Sequence, residues 1–219
     1  SLSPLALSFG AYARREAERP AAEKSSDEGY WLSVFRGEPP VLELPLDRNR
    51  PPQRTFDSRR EDVVLDAELV GELRKTSVRL RASLFATLLG GFQALLLRLS
   101  GQPDVVVGVP FAGQSLAGLD DLVGHAVNML PLRAQVESAT PFETLVSAVK
   151  SRMLDAQEHQ NYTLGTLLSK LPIARDPSRA PLVNVTFNLD RALEDDSIRF
   201  DGLRASLHSN PRRYENFDL

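Results

Sequence analysis

An α/β layered sandwich with a mixed sheet is the fold class predicted for this chain of 219 residues, and three observations predict it. Residues 104–111 form an apolar run rich in valine, too short for a helix and suited to a buried strand. Residues 84–99 place Phe85, Leu88, Leu89, Phe92, Leu95, Leu96 and Leu99 around most of a helical circumference, as a central helix requires. The patterns follow in the order helix, strand, two helices, strand, strand, two helices and further strands, which is how such a sandwich is assembled.

Residues 11–29 are rich in Ala, Arg and Glu and read as an exposed helix that breaks near Arg19-Pro20, with a polar turn over 23–27. Tyr30, Trp31, Leu32 and Phe35 form an aromatic cluster on a short helix stopped at Gly37. The prolines of residues 38–45 forbid a helix and favour an extended connection, which ends at Asn49-Arg50-Pro51-Pro52. Residues 61–65 read as a strand. Asp66 then caps a helix over 67–82, and Ser83 caps the central helix. Gly90-Gly91 costs that helix about 1 kcal/mol per glycine relative to alanine, which close approach of another backbone would explain. Gly101 ends it.

The strand over 104–111 is followed by a Gly-rich loop and by a second strand, 127–136, broken by Pro131. Thr140-Pro141-Phe142-Glu143 reads as a capping box with proline at the first helical position. It opens a helix to about 159 that turns Leu145, Val146, Val149 and Met153 inward. A shorter helix spans 163–170, and residues 182–189 alternate as a strand. Weaker strand patterns lie at 198–208 and from 214 onward, and Arg212-Arg213 read as a solvated turn.

Composition is 42% hydrophobic and 25% charged with a net charge of −3, ordinary for a globular domain and giving no general attraction to nucleic acid or to an anionic membrane. No apolar run approaches the ~20 residues of a membrane span. With no cysteine, disulfides, thiolate catalysis and cysteine-ligated metals are excluded. That fits a cytoplasmic location. The apolar start has no basic leader, and its first residue is serine, which fits an excerpt of a longer chain and equally fits removal of an initial methionine.

Little in the sequence carries autonomous chemistry. His125, His159 and His208 lack metal-ligand spacing and read as structural or surface residues, so no metal is expected. No phosphate-cradling glycine motif occurs. Residues 113–117, with Ser115 at their centre, loosely resemble a nucleophile elbow, but Ala112-Gly113 already leaves the strand and no long helix follows.

Several stretches resemble motifs of nonribosomal peptide synthetase condensation domains. Residues 123–133 resemble G-x-x-V-N-x-L-x-L-R, and residues 158–162 resemble H-Q-D-Y with Asn161 in place of aspartate. Residues 175–185 resemble R-D-x-S-R-x-P-L-F-N-V with Val183 in place of phenylalanine, and 44–48 resemble the L-P-x-D lead-in. Residues 108–114 resemble G-V-P-x-A-G-R with Gln114 replacing arginine. Residues 9–16 occupy the place of Y-x-D-Y-x-x-W-Q, with Ala11 replacing the aspartate and Arg15 the tryptophan.

The resemblance implies a chloramphenicol-acetyltransferase-like sandwich. Residues 1–29 would be the end of a preceding lobe and a connecting helix, and 30–219 a C-terminal lobe cut short at its end. It implies a peptide-bond-forming or hybrid polyketide-peptide subtype. Donor acyl or peptidyl groups and acceptor amines would arrive as thioesters on the phosphopantetheine arms of upstream and downstream carrier domains, with no cofactor bound directly. Adenylation or polyketide synthase domains and the N-terminal lobe of the same domain are the expected neighbours. No H-H-x-x-x-D-G motif occurs here, so no catalytic residue is assigned to this chain, which alone would be inactive.

Asn128, Gln114 and Ser115 are the candidate substrate-binding residues. The Asn128 amide could serve a substrate or the backbone beside Pro131. Arg175, Asp176, Ser178 and Arg179 read as loop-fixing groups. The alternatives are a stand-alone acyltransferase of the same fold and a non-catalytic lobe that docks carrier or neighbouring domains.

Overall fold

The structure, a computed structural model, describes residues 5–113, 119, 121–190, 202–203 and 213–219. Six helices and three strands are assigned among them: α1 (Phe9–Ala17), α2 (Ala21–Val34), α3 (Ala67–Arg79), α4 (Leu84–Ser100), β1 (Asp104–Ala112), β2 (Val127–Gln135), α5 (Phe142–Glu158), α6 (Leu164–Lys170) and β3 (Val185–Thr186).

Helix starts follow their capping side chains. Ser8 Oγ accepts from Ala11 N, Asp66 Oδ1 from Leu69 N at 2.7 Å and Ser83 Oγ from Ala86 N at 3.1 Å. Thr163 Oγ1 does the same for Thr166 N at the head of α6. At α5 the boundary falls one residue later than the capping box predicts. Pro141, with ψ 143°, stands outside the helix as its cap and accepts Leu145 N only through its carbonyl. Gly101 at φ 69° closes α4. The expected break at Arg19-Pro20 is present, but no turn follows it. Residues 23–27 share one helix, α2, with Tyr30, Trp31 and Leu32, while Phe35 caps its end, and the helix runs through the expected division at residue 29.

The sheet has the order β2-β1-β3, antiparallel between β1 and β2 and parallel between β1 and β3, and is therefore mixed. Val105, Val106, Val107 and Val109 are all buried, so both faces of β1 are covered. Pro131 does not break β2. It pairs with Gly108, whose carbonyl accepts from Phe187 N on the β3 side. The Gly108–Pro131 pair is thus a non-hydrogen-bonded one, where a missing N–H costs nothing.

Helix α4 packs against α3, α5 and β1, as its apolar circumference predicts. Gly90 explains half of the glycine pair: a Cβ there would stand 3.1 Å from Val146 Cγ2 and 3.7 Å from Val146 Cα on α5. Gly91 has open space around it. Among the described residues no single helix is long and apolar enough to cross a membrane, and α3 and α4 meet at a 102° bend.

Two predicted strands are reduced or missing. Residues 61–65 make no ladder, and Val63 and Val64 are 82% and 94% exposed. Pairing stops just before them, where Ser58 N donates to Arg213 O, Glu215 N donates to Phe56 O, and Asp57 bridges Tyr214. Of residues 182–189 only Val185–Thr186 join the sheet. The last residues run along their free side, with Asp218 N donating to Asn184 O and Thr186 N to Leu219 O. The strand pattern at 198–208 lies outside the described residues save 202–203.

Candidate functional site

The turn between α5 and α6, residues 159–163, is held from two sides. Pro20 cannot continue α1, so the chain turns into α2 and carries Asp27, Glu28 and Trp31 toward that turn. Trp31 Nε1 donates to the His159 carbonyl at 2.9 Å. Tyr162 OH donates to Glu28 Oε2 at 2.9 Å. From the sheet, Asn128 Nδ2 donates to Gln160 O at 2.7 Å and to Tyr162 O at 3.1 Å, while its Oδ1 accepts from Met129 N at 2.9 Å. The Asn128 amide therefore serves backbone at three points.

Asp27 is only 4% exposed, and each of its carboxyl oxygens has a partner. Oδ2 accepts from Arg19 Nη2 at 3.0 Å, and Oδ1 lies 2.9 Å from His159 Nδ1. A carboxylate only accepts, so Nδ1 carries the proton in this contact. The His159 ring stacks on Tyr30 with centroids 4.3 Å apart. Burial, then the Asp155 carboxylate, pushes the Tyr30 phenol up to about 12. Burial, then the hydrogen bond and charge of Glu28, does the same for Tyr162.

Above the turn lies a cleft of about 240 Å³ between α1 and the adjoining ends of β1 and β2. Tyr12, Glu16, Phe111, Val127, Asn128 and Gln160 are among its walls. It adjoins a wider cavity of about 740 Å³ beside α1, where Arg14, Arg15 and Arg19 stand. Gly113, Gln160 and Asn161 line both. Gln114 and Ser115, which continue the chain from Gly113, lie outside the described residues. So does His208, while His125 is exposed.

The other motif stretches meet elsewhere. The Ser178 hydroxyl, then the Ser178 N–H that donates to Asp176 Oδ1 at 2.8 Å, holds the Asp176 carboxyl below the usual range, helped by Arg179. Arg179 pairs with Asp176 at 2.8 Å and with Glu43 at 2.8 Å, joining the loop at 176–179 to the extended segment at 38–45. Arg133 grips Asp104 at 2.7 Å and donates to Val34 O at 2.8 Å, so the arginine of the 123–133 stretch ties the sheet to α2. Among the described residues no three His, Asp or Glu side chains are placed to hold a metal.

Sequence reasoning missed Asp27 and did not single out Gln160. Gln160 lay inside a quoted motif, so a signal existed. Asp27 carried none, because His159 lies 132 residues away in the chain and Arg19 reaches it only across the break at Pro20.

The condensation domain family model matches residues 1–219. The chain belongs to the condensation domain family. Surfactin synthase subunit 2 of Bacillus subtilis (strain 168) is 37% identical over 193 residues, covering 88% of this chain and 5% of that protein. The chain thus spans about a twentieth of that relative's length. The X-domain from teicoplanin biosynthesis superposes with a TM-score of 0.81 at 22% identity, over 100% of this chain and 50% of that one. The first condensation domain of the calcium-dependent antibiotic synthetase, in complex with substrate analogue 3a, gives 0.61 at 25% identity, over 89% and 42%. The layered mixed α/β fold is that of condensation domains, as the resemblance implied.

Proposed function

We propose that this condensation domain segment is the C-terminal lobe of an amide-forming domain in a nonribosomal peptide synthetase, of the peptide-bond-forming or hybrid polyketide-peptide subtype. The N-terminal lobe of the same domain supplies the histidine motif. Carrier domains upstream and downstream bring the two substrates on phosphopantetheine arms, with adenylation or polyketide synthase domains as neighbours, in the cytoplasm. The acceptor amine attacks the donor thioester carbonyl. A C–N bond forms, the C–S bond breaks, the donor arm leaves as its thiol and the amine loses a proton. A thioester is already activated, so holding the two reactants together supplies much of the acceleration.

The observation that carries this reading is the meeting of two motif stretches at one cleft. Asn128 of the first fixes the backbone of Gln160 and Tyr162 of the second, directly beneath the cavity. In this reading Asn128 shapes the floor, and Gln114 and Ser115 line the acceptor side beyond Gly113.

The test is mass spectrometry of the downstream carrier after mixing the full domain with both loaded carriers. The full domain is expected to deposit an amide product, and residues 1–219 alone none above the enzyme-free level. Product from residues 1–219 alone would move the chemistry into this lobe and overturn the division of labour.

A further inference from the structure

The carboxamide of Gln160 makes no hydrogen bond among the described residues, and its Oε1 is closed off from solvent without a donor. A buried acceptor left unpaired is costly, so such groups are rare unless something completes them. The root of the side chain is fixed by Asn128 Nδ2 on the Gln160 carbonyl at 2.7 Å. Oε1 stands 2.8 Å from where a Cβ would sit on Gly113, so the strand end lacks a side chain just where the carboxamide needs room. Because Gly113, Gln160 and Asn161 line both cavities, this group stands where the wide cavity passes into the narrow cleft.

We propose that Gln160 contacts a secondary amide of the phosphopantetheine arm as the arm passes from the wide cavity into the cleft. This deepens the amide-forming reading and rests on it. A carboxamide offers an acceptor and a donor side by side, and a secondary amide offers the complementary N–H and C=O. A carboxylate or guanidinium in its place would select a charged ligand instead. The terminal torsion of glutamine is soft, so the group turns either end toward the arm at little cost.

The test uses the whole two-lobed domain, titrated calorimetrically with S-methylpantetheine and assayed with its loaded carriers. Gln160→Leu keeps the bulk and removes both hydrogen-bonding ends. It is expected to bind S-methylpantetheine about tenfold more weakly. KM for carrier-bound substrate rises to match while kcat stays as in the parent, the pattern of a contact made equally in ground and transition states, and Tm is equal to or above the parent's because an unpaired buried acceptor is removed. Gln160→Glu, which keeps an acceptor and loses the donor, falls between. If Gln160→Leu does not fold, Gln160→Met carries the same comparison. Binding within about twofold of the parent overturns the assignment, and so does a parent domain that forms amide yet does not bind the probe. A parent domain that forms no amide overturns the amide-forming reading instead, and the binding comparison still decides the role of Gln160.

Discussion

Asn128 donates both hydrogens of its amide to the carbonyls of Gln160 and Tyr162 and accepts from Met129 N. Replacing it with alanine strands two carbonyls and one N–H at once. Asn128→Ala is therefore expected to cost about 2 kcal/mol, since leaving partly buried groups unpaired costs more than a made bond gains. Urea unfolding followed by Trp31 fluorescence measures it, because that indole is itself bonded to the same turn. An unchanged midpoint would mean that water replaces all three bonds. The sequence brought Asn128 forward through its motif, yet both uses of its amide stayed open, because a partner 32 residues away leaves no local trace. Asp27 was hidden for a related reason. It sits in a run of polar residues that reads as solvated, and only the folded chain brings Arg19 and His159 to it.

At the scale of elements, the helices were legible and the strands less so. A helix carries its own signals, and Asp66 and Ser83 cap where their sequence says they do. A strand needs a partner, and residues 61–65 have the right composition but no ladder beside them. The ladder that does form depends on Gly108. A Cβ there would lie 2.5 Å from Val183 Cγ1 and 2.8 Å from Met129 Sδ, at the point where β2 and the chain entering β3 both lean on β1. Gly108→Ala is expected to destabilise by about 1–3 kcal/mol, the usual range for overpacking. Val183→Ala should recover part of that loss, and the coupling is read from a double-mutant cycle in chemical denaturation. Additive losses would show that the backbone shifts to make room.

For the whole molecule, the class of fold followed from the order of patterns, and its kinship from motif stretches that the family model extends over all 219 residues. What the order could not supply was the way α2 closes over the turn at 159–163, since the polar residues at 23–27 masked a continuous helix. That closure sets an alkaline limit. Free tyrosine titrates near 10, whereas Tyr30 and Tyr162 stand near 12 in the folded chain. Folding thus favours their neutral forms. The resulting stability is present in full below pH 10 and is lost as pH rises through 12. In a Tyr12→Phe/Tyr214→Phe variant, which leaves only Tyr30 and Tyr162 of the four tyrosines, phenolate absorbance and far-ultraviolet dichroism recorded together should change in one transition above pH 10. Phenolate formation near 10 with the helices intact would place both rings in water.

The turn at 159–163 is gripped largely by its carbonyls: those of His159, Gln160 and Tyr162 take the bonds from Trp31 and Asn128. Every amino acid brings a carbonyl. The side chains of Gln160 and Asn161 can therefore be exchanged while the fastening on their backbone stays in place. In an engineering or evolutionary sense the turn is a socket, rigid in its frame and open to rewriting in its contents. A library randomised at these two positions would alter what the cleft prefers at little cost to foldability.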